Sequence, residues 1–419
     1  MSRSSKLFHK LVSFDEAKRK FMNSFTPTQG IEEAALPEVH GRISAEDIRS
    51  PVDIPPFDKS TMDGFALKAE DTFGATEDAP VRLKLVGSVK VGERSSLKIR
   101  NGECAAVPTG APIPYGANAC LILENTTASD RSVYVYKSVT PGENIMYRGN
   151  DVRKGDLLIR KGDRITPQEI GLLASVGLDR VSVIKKPRVA IVSTGNELVS
   201  PGDKLKSGCV YDVNAYTLFA SVIVCGGEPT HLGIFPDEIS AIQGAIEEGV
   251  ENYDIVLVSG GTSVGAEDIM RKAIEEIQDS RIILHGIAVR PGKPTILAVV
   301  GNKPIFCLPG NPTSALVTFS VFVDPIIRAM SGVQSEGVRR LAASLSEKVF
   351  SLGGRHTFLT VTLSKAPDGT LVAHPIPRGS GAVTTFALAD GFVEVTPDIE
   401  LLEKGEKVTV TLFGDRPDL

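Results

Sequence analysis

From Pro187 onward the chain alternates short apolar runs with longer helical patterns, and no other feature narrows its possible folds so far. Residues 188–193, 230–235, 254–259 and 304–308 read as buried strands. Residues 214–225, 237–251, 267–277 and 312–330 read as the helices between them, the last expected to kink or end at Pro325. Such a rhythm requires right-handed crossovers and a mostly parallel sheet covered on both faces. Ligands of these sheets bind at the carboxyl ends of the strands.

The remaining sequence carries other patterns, and 419 residues exceed what one core usually serves. Ser13-Phe14-Asp15-Glu16 is a capping box, with Phe14, Ala17, Phe21 and Phe25 on one helical face, predicting a helix over about 13–25. A second box, Thr166-Pro167-Gln168-Glu169, opens a helix that Gly177 ends. The two helices are expected to share one elongated unit. Between them, residues 49–140 hold short alternating strands, such as 81–86 and 132–136, and read as an inserted β domain. After Gly332 come strands at 356–363, 371–375, 391–395 and 407–412, predicting a small C-terminal β barrel or sandwich, with Pro367-Asp368-Gly369 as a hairpin turn.

Net charge is −5, which argues against a nucleic-acid or anionic-membrane binder and leaves an anionic substrate in need of a local basic site. Five scattered cysteines suggest neither a disulfide framework nor a zinc site, and fit a reducing cytoplasm. The first ten residues lack the apolar core of a signal peptide. The most apolar stretch, 315–330, is interrupted by Thr318, Ser320, Asp324 and Arg328, so a soluble, cytoplasmic protein is expected.

Residues 254–268 form a hydrophobic strand, a glycine-rich loop with Gly260, Gly261, Ser263 and Gly265, and a helix start. Glycines let backbone N–H groups converge on an anion, and the helix N-terminus adds partial positive charge. Ala266-Glu267 stands where a P-loop demands Lys and Ser/Thr, which disfavours an ordinary ATPase. A purely structural turn is the alternative, with Glu267 and Asp268 serving only the helix dipole. Pro309, Gly310, Asn311 and Pro312 repeat the arrangement after another strand. Between the loops lies Arg290-Pro-Gly-Lys293-Pro, two cations suited to an oxyanion or merely solvated at the surface. Glu197 follows the first strand and Asp237 the second; acids gathered at an anion site imply a bridging Mg2+, although Asp237 could equally be a helix N-cap. Two proline-fixed turns in the inserted region, residues 56–64 and 107–114, read by composition as structural. Neither H-E-x-x-H nor G-x-S-x-G occurs, which disfavours a zinc hydrolase or a serine esterase.

Taken in order, F-D-K-S-T-M-D-G-F-A, P-T-G-A-P-I-P, S-T-G-N-E-L, S-G-G-T-S-V-G-A-E-D, R-P-G-K-P and L-P-G-N-P-T-S-A closely resemble the MoeA and gephyrin E-domain family, over about residues 14–413. The resemblance implies a multidomain α/β plus β chain: an elongated helical and β dimerisation segment (1–48 and 141–184), an inserted β domain (49–140), a parallel-sheet, three-layer α/β molybdopterin-binding domain (185–332) and a C-terminal β barrel (333–419). It further implies a homodimer with a shared cleft, a molybdopterin adenylyltransferase as partner, and Mg2+-dependent transfer of metal from molybdate to adenylated molybdopterin with release of AMP.

Carried over by residue, the resemblance implies that Asp63, Thr109 and Asp151 belong to the inserted-domain side. Glu197, Asp237 and Asp268 would serve as catalytic acids and metal ligands. Gly260, Gly261, Ser263, Gly265, Arg290, Lys293, Pro309, Gly310, Asn311 and Pro312 would bind substrate or oxyanion, with Arg355 and Ser380 from the barrel. Two departures stand out: Arg290 replaces the usual Lys, keeping charge but not geometry, and Asn118 replaces a common Asp. The competing readings are a molybdopterin adenylyltransferase, which the flanking β domains disfavour, and a non-catalytic scaffold, which would not require the acids.

Overall fold

The computed structural model describes residues 11–261, 266–333, 340–351, 353–376, 379 and 381–414. The chain divides into two compact units, residues 33–183 and residues 1–32 with 184–419.

The larger unit begins with a helix, Phe14–Met22 (α1), whose N-cap Ser13 accepts a hydrogen bond from the Glu16 N–H. It continues through strand Arg188–Thr194 (β1), helix Asn214–Val224 (α2), strand Glu228–Phe235 (β2), helix Ile239–Asn252 (α3), strand Ile255–Gly260 (β3) and helix Ala266–Glu275 (α4). Strands Ser280–His285 (β4), Ile296–Val300 (β5) and Lys303–Leu308 (β6) follow. The sheet order is β2-β1-β3-β6-β5-β4. The first four strands are parallel, while β5 and β4 run antiparallel at the edge, a pair the strand–helix rhythm did not disclose.

Alternate residues of each strand enter opposite cores, which is why these strands read as unbroken apolar runs. Ile191, Leu257 and Phe306 join one core with α2, and Val192, Val258 and Cys307 join the other with α3 and α4. The chain passes from β1 to β2 on one side and then to β3 on the other, so the strand order reverses between β1 and β3. A crevice at their carboxyl ends is the geometric consequence.

One expectation is corrected and another narrowed. Helix α1 does not group with the second capping-box helix. Its Phe14, Ala17 and Phe21, with Phe25 just beyond it, enter the same core as Ile191 and Phe306, with Phe14 edge-on to Phe322 and Phe358 at 5.6 and 5.3 Å. An apolar stripe specifies that a helix is covered, not by what.

Pro325, expected to kink or end the last helix, does not end it. Helix Pro312–Thr318 (α5) and helix Asp324–Ser331 (α6) are joined by a π-helical turn, Phe319–Val323, and Pro325 sits in the first turn of α6. A π turn shifts the hydrogen-bond ladder by one residue where proline has no N–H to give. The combined run is long and apolar enough to cross a membrane, yet most of it is buried in the unit's own core.

Strands Arg340–Leu345 (β7), His356–Lys365 (β8), Leu371–Pro375 (β9), Gly391–Val395 (β10) and Lys407–Leu412 (β11) close into a ring, because β8 pairs with β10 as well as with β9. This settles the C-terminal part as a closed, barrel-like sheet around Val361, Val393 and Val410.

In the smaller unit, six strands pair in the order Ala119–Ile122, Gly64–Leu67, Glu103–Val107, Val81–Ser88, Ser132–Val135, Thr126–Ser129. Helix Pro167–Ser175 keeps its capping box, with the Thr166 N–H donating to Glu169 Oε2 at 2.6 Å. Asn118 explains its own departure from the family pattern. Its Oδ1 accepts from the Ala69 N–H at 2.7 Å while Nδ2 donates to Glu70 Oε1 at 3.0 Å. An aspartate cannot make the second bond and would set like charges together. Asn118→Asp is expected to cost roughly 1 kcal/mol at neutral pH, and less in acid. Thermal melts at pH 4 and pH 7 check this; a pH-independent loss would contradict it.

Among the described residues there is no disulfide. Burial pushes the Cys104 and Cys307 thiols up to about 12, so both are inert packing groups.

Candidate active site

A cleft of about 810 Å³ opens at the carboxyl ends of β1, β3 and β6. Thr194 ends β1, Ser259 and Gly260 end β3, and Pro309, Gly310, Asn311 and Pro312 connect β6 to α5; all line it. The two glycine turns approach closely: a Cβ on Gly310 would stand 3.8 Å from the Gly260 Cα. Asn214, the first residue of α2, ties them together, its Nδ2 donating to Ser259 Oγ at 2.8 Å and to the Gly310 carbonyl at 2.9 Å.

Glu197 and Asp237 face this cleft from the turns after β1 and β2. The turns are stitched by the Gly195 N–H donating to the Phe235 carbonyl and by the Asp237 N–H donating to Asn196 Oδ1. Asp237 is not an N-cap: α3 begins at Ile239, and Asp237 Oδ1 is buried with no hydrogen-bond partner among the described residues. Burial raises its carboxyl above the ordinary value, and the nearby charge of Glu197 raises it further.

The other expected residues are distributed differently. Asp268 is exposed on α4 and does not line the cleft. Among the described residues no group of three side chains that could hold a metal occurs; of the three expected acids, Glu197 and Asp237 line the cleft. A helix-start acid and a cleft acid look alike in sequence.

Arg290 is exposed, in the short strand Val289–Arg290 that pairs with His356 and Thr357 of β8. Lys293 is half-buried and immediately precedes Pro294, a lining residue. Arg355 is half-buried just before β8 and is not a lining residue. Ser263, Gly265 and Ser380 lie outside the described residues. Sequence reasoning passed over Asp212, Asn214 and Tyr211, which line the cleft. Asp and Asn just before a helix look like ordinary capping residues.

In the smaller unit two separate motifs meet. Asp63 Oδ1 accepts from the Thr109 N–H at 2.7 Å and from the Thr109 hydroxyl at 3.0 Å. These bonds hold the Asp63 carboxyl below its usual range. Asp151 sits on another exposed turn, its N–H donating to the Ile54 carbonyl. Thr109→Ala removes only the hydroxyl bond, so Asp63 is expected to titrate at a higher pH by carboxyl-carbon NMR, yet still below a free aspartate. An unchanged titration would show that the hydroxyl contributes nothing.

Comparison with known proteins agrees with this layout. Residues 12–177 match the family described as "MoeA N-terminal region (domain I and II)", residues 190–329 match "Probable molybdopterin binding domain", and residues 342–413 match "MoeA C-terminal region (domain IV)". A molybdopterin molybdenumtransferase of Bacillus subtilis is 33% identical over 410 residues, 96% of this chain and 94% of that one. A molybdopterin biosynthesis protein of Methanocaldococcus jannaschii is 32% identical, covering 97% of this chain and all of the other. A solved MoeA structure from Pyrococcus horikoshii superposes with a TM-score of 0.83 at 42% identity, over 97% of this chain and 100% of that chain. Matched over most of its length by all three regions, the chain belongs to the MoeA family, several of whose relatives, the Bacillus subtilis protein among them, are named molybdopterin molybdenumtransferase.

Proposed function

We propose that this protein is a molybdenum insertase that transfers metal from molybdate to adenylated molybdopterin and releases AMP in a Mg2+-dependent step. The observation that carries the reading is the cleft itself. Two glycine turns converge at a strand switch point, and two carboxylates face them. A site for phosphate alone would not gather acids there. The relatives' names supply the substrate class, and the flanking regions disfavour a lone adenylyltransferase domain.

Glu197 and Asp237 fit a Mg2+ site. Asp237 keeps a buried oxygen without a hydrogen-bond partner among the described residues, and its proximity to Glu197 is unfavourable until a cation or a proton intervenes. Two protein carboxylates completed by water and substrate phosphate are the usual arrangement for this ion, which when bound neutralises charge developing on the phosphates.

The turns at Gly260, Gly261 and Gly310 hold the phosphates by backbone donors, while Lys293 and Arg290 supply the cations for oxyanion and phosphate. Attack by water on the activated phosphorus forms one P–O bond, breaks the bridging P–O bond and expels AMP, with the proton passing to solvent. Positioning and fixed charge carry the catalysis. Asp63 and Thr109, a homodimeric assembly and a separate adenylyltransferase supplying the substrate complete the reading.

The deciding experiment combines protein, adenylated molybdopterin, Mg2+ and either molybdate or tungstate, and follows AMP and pterin-bound metal. Oxyanion-dependent AMP release with metal transfer is expected. Tight pterin binding without turnover would replace the reading by a carrier, and ATP consumption would replace it by an adenylyltransferase.

A further inference from the structure

Besides the acid pair, the cleft holds a second polar feature that the chemistry at phosphorus does not use. Asp212 is only 2% exposed and Asn214 7%, and both line the cleft. Asp212 Oδ1 accepts the Ala215 N–H at 3.1 Å, but Oδ2 has no hydrogen-bond partner among the described residues. His231 Nε2 lies 3.8 Å from it, too far for a hydrogen bond, and stands 3.3 Å from Ser193 Oγ.

Asn214 spends its amide hydrogens on Ser259 and Gly310, which leaves its Oδ1 without a partner as well. Two buried acceptors, two residues apart at the start of α2, therefore lack donors among the described residues. Buried acceptors are almost always satisfied, and an unsatisfied one costs about 1–3 kcal/mol, so this pair calls for an outside donor. The adjoining wall is apolar: Leu198, Leu205, Val210 and Tyr211 line it, and the Tyr211 hydroxyl is fixed by donating to the Asp203 carbonyl at 3.1 Å. Apolar lining beside paired acceptors suits a planar heterocycle that offers adjacent N–H groups.

We propose that Asp212 and Asn214 form the subsite that recognises the amino-lactam edge of the pterin ring, with the Tyr211 wall against the ring face. This rests on the proposed insertase reading and deepens it, naming the residues that would tell a pterin from other phosphorylated compounds. The ring's 2-amino group and neighbouring ring N–H are two donors on one edge, matching acceptor-only Asp212 and the carbonyl of Asn214. A 2,4-dioxopteridine, lumazine, puts an oxygen where the amino group stood and meets the acceptors with repulsion.

Titration of the full chain with free pterin, lumazine and AMP, followed by pteridine fluorescence and calorimetry, tests this. Pterin is expected to bind at least about tenfold tighter than lumazine. Asp212→Asn, which keeps the capping acceptor, should erase that preference and leave AMP affinity unchanged. Equal binding of pterin and lumazine by the unaltered protein would overturn the proposal, as would a preference that survives Asp212→Asn. The unaltered-protein comparison decides the matter even if the variant unfolds. Failure of AMP to bind, together with absence of insertase turnover, would instead overturn the underlying functional reading.

Discussion

Replacing Asp237 with Asn is expected to stabilise the metal-free protein at neutral pH while reducing oxyanion-dependent AMP release by about 100-fold or more. The two effects have one cause. Burial and the Glu197 charge raise the Asp237 carboxyl above its ordinary value. The folded state therefore holds its proton more tightly than the unfolded state does. Stability is lost as pH rises from the unfolded value through the folded one, and the deficit is complete above the latter. Asn carries no charge, so the variant should gain most above that window and nothing in strong acid.

Mg2+ should raise the melting temperature of the unaltered protein, because a cation bound to the native pair relieves the same repulsion. The Asn variant should lose that response. Melts across pH with and without Mg2+, alongside the AMP assay, check both parts. A variant destabilised equally at every pH would mean that Asp237 is an ordinary structural acid. One that keeps full turnover would remove it from the proposed chemistry.

The site was legible where sequence pattern and physics coincide. Apolar runs covered on both faces identify central parallel strands, and turns such as Gly260-Gly261 and Pro309-Gly310 must then lie at strand ends. That Asp63 and Thr109 belong to one side was implied only by resemblance, and their hydrogen bond was not expected, because 46 residues separate them and composition alone read both turns as structural.

Other features were not legible for definable reasons. The stripe on α1 discloses burial but not the partner, which proved to be the α/β core. Asp237 could be capping or catalytic until the start of α3 at Ile239 excluded capping. Asp268 shares a motif with the glycine loop, yet its exposure on α4 depends on the helix phase, which a loop-to-helix junction leaves free. Asp212 and Asn214 become conspicuous only when their hydrogen bonds are counted and found incomplete.

Gly260→Ala should be the most damaging single-methyl addition in the cleft, because Gly260 serves the sheet and the turn together. Its φ is +105°, and a Cβ there would lie 2.1 Å from the Thr194 carbonyl oxygen. That oxygen belongs to β1, paired in parallel with β3 at Thr194 and Gly260, so neither partner can swing aside as a side-chain tip could. Backbone strain alone costs about 1–3 kcal/mol, and separating two central strands adds to it, so a loss of roughly 3 kcal/mol or more is expected.

Turnover should fall with it, since the displaced backbone includes donors assigned to the phosphates. Gly244→Ala supplies the contrast. Gly244 lies in α3 with nothing within 4 Å of an added Cβ, and the substitution should stabilise the chain by about 0.5–1 kcal/mol. Thermal melts of both variants, with the AMP assay on each, separate the effects. If Gly260→Ala melts alongside the unaltered protein and still turns over, the close contact of β1 with the glycine turn does not shape the site.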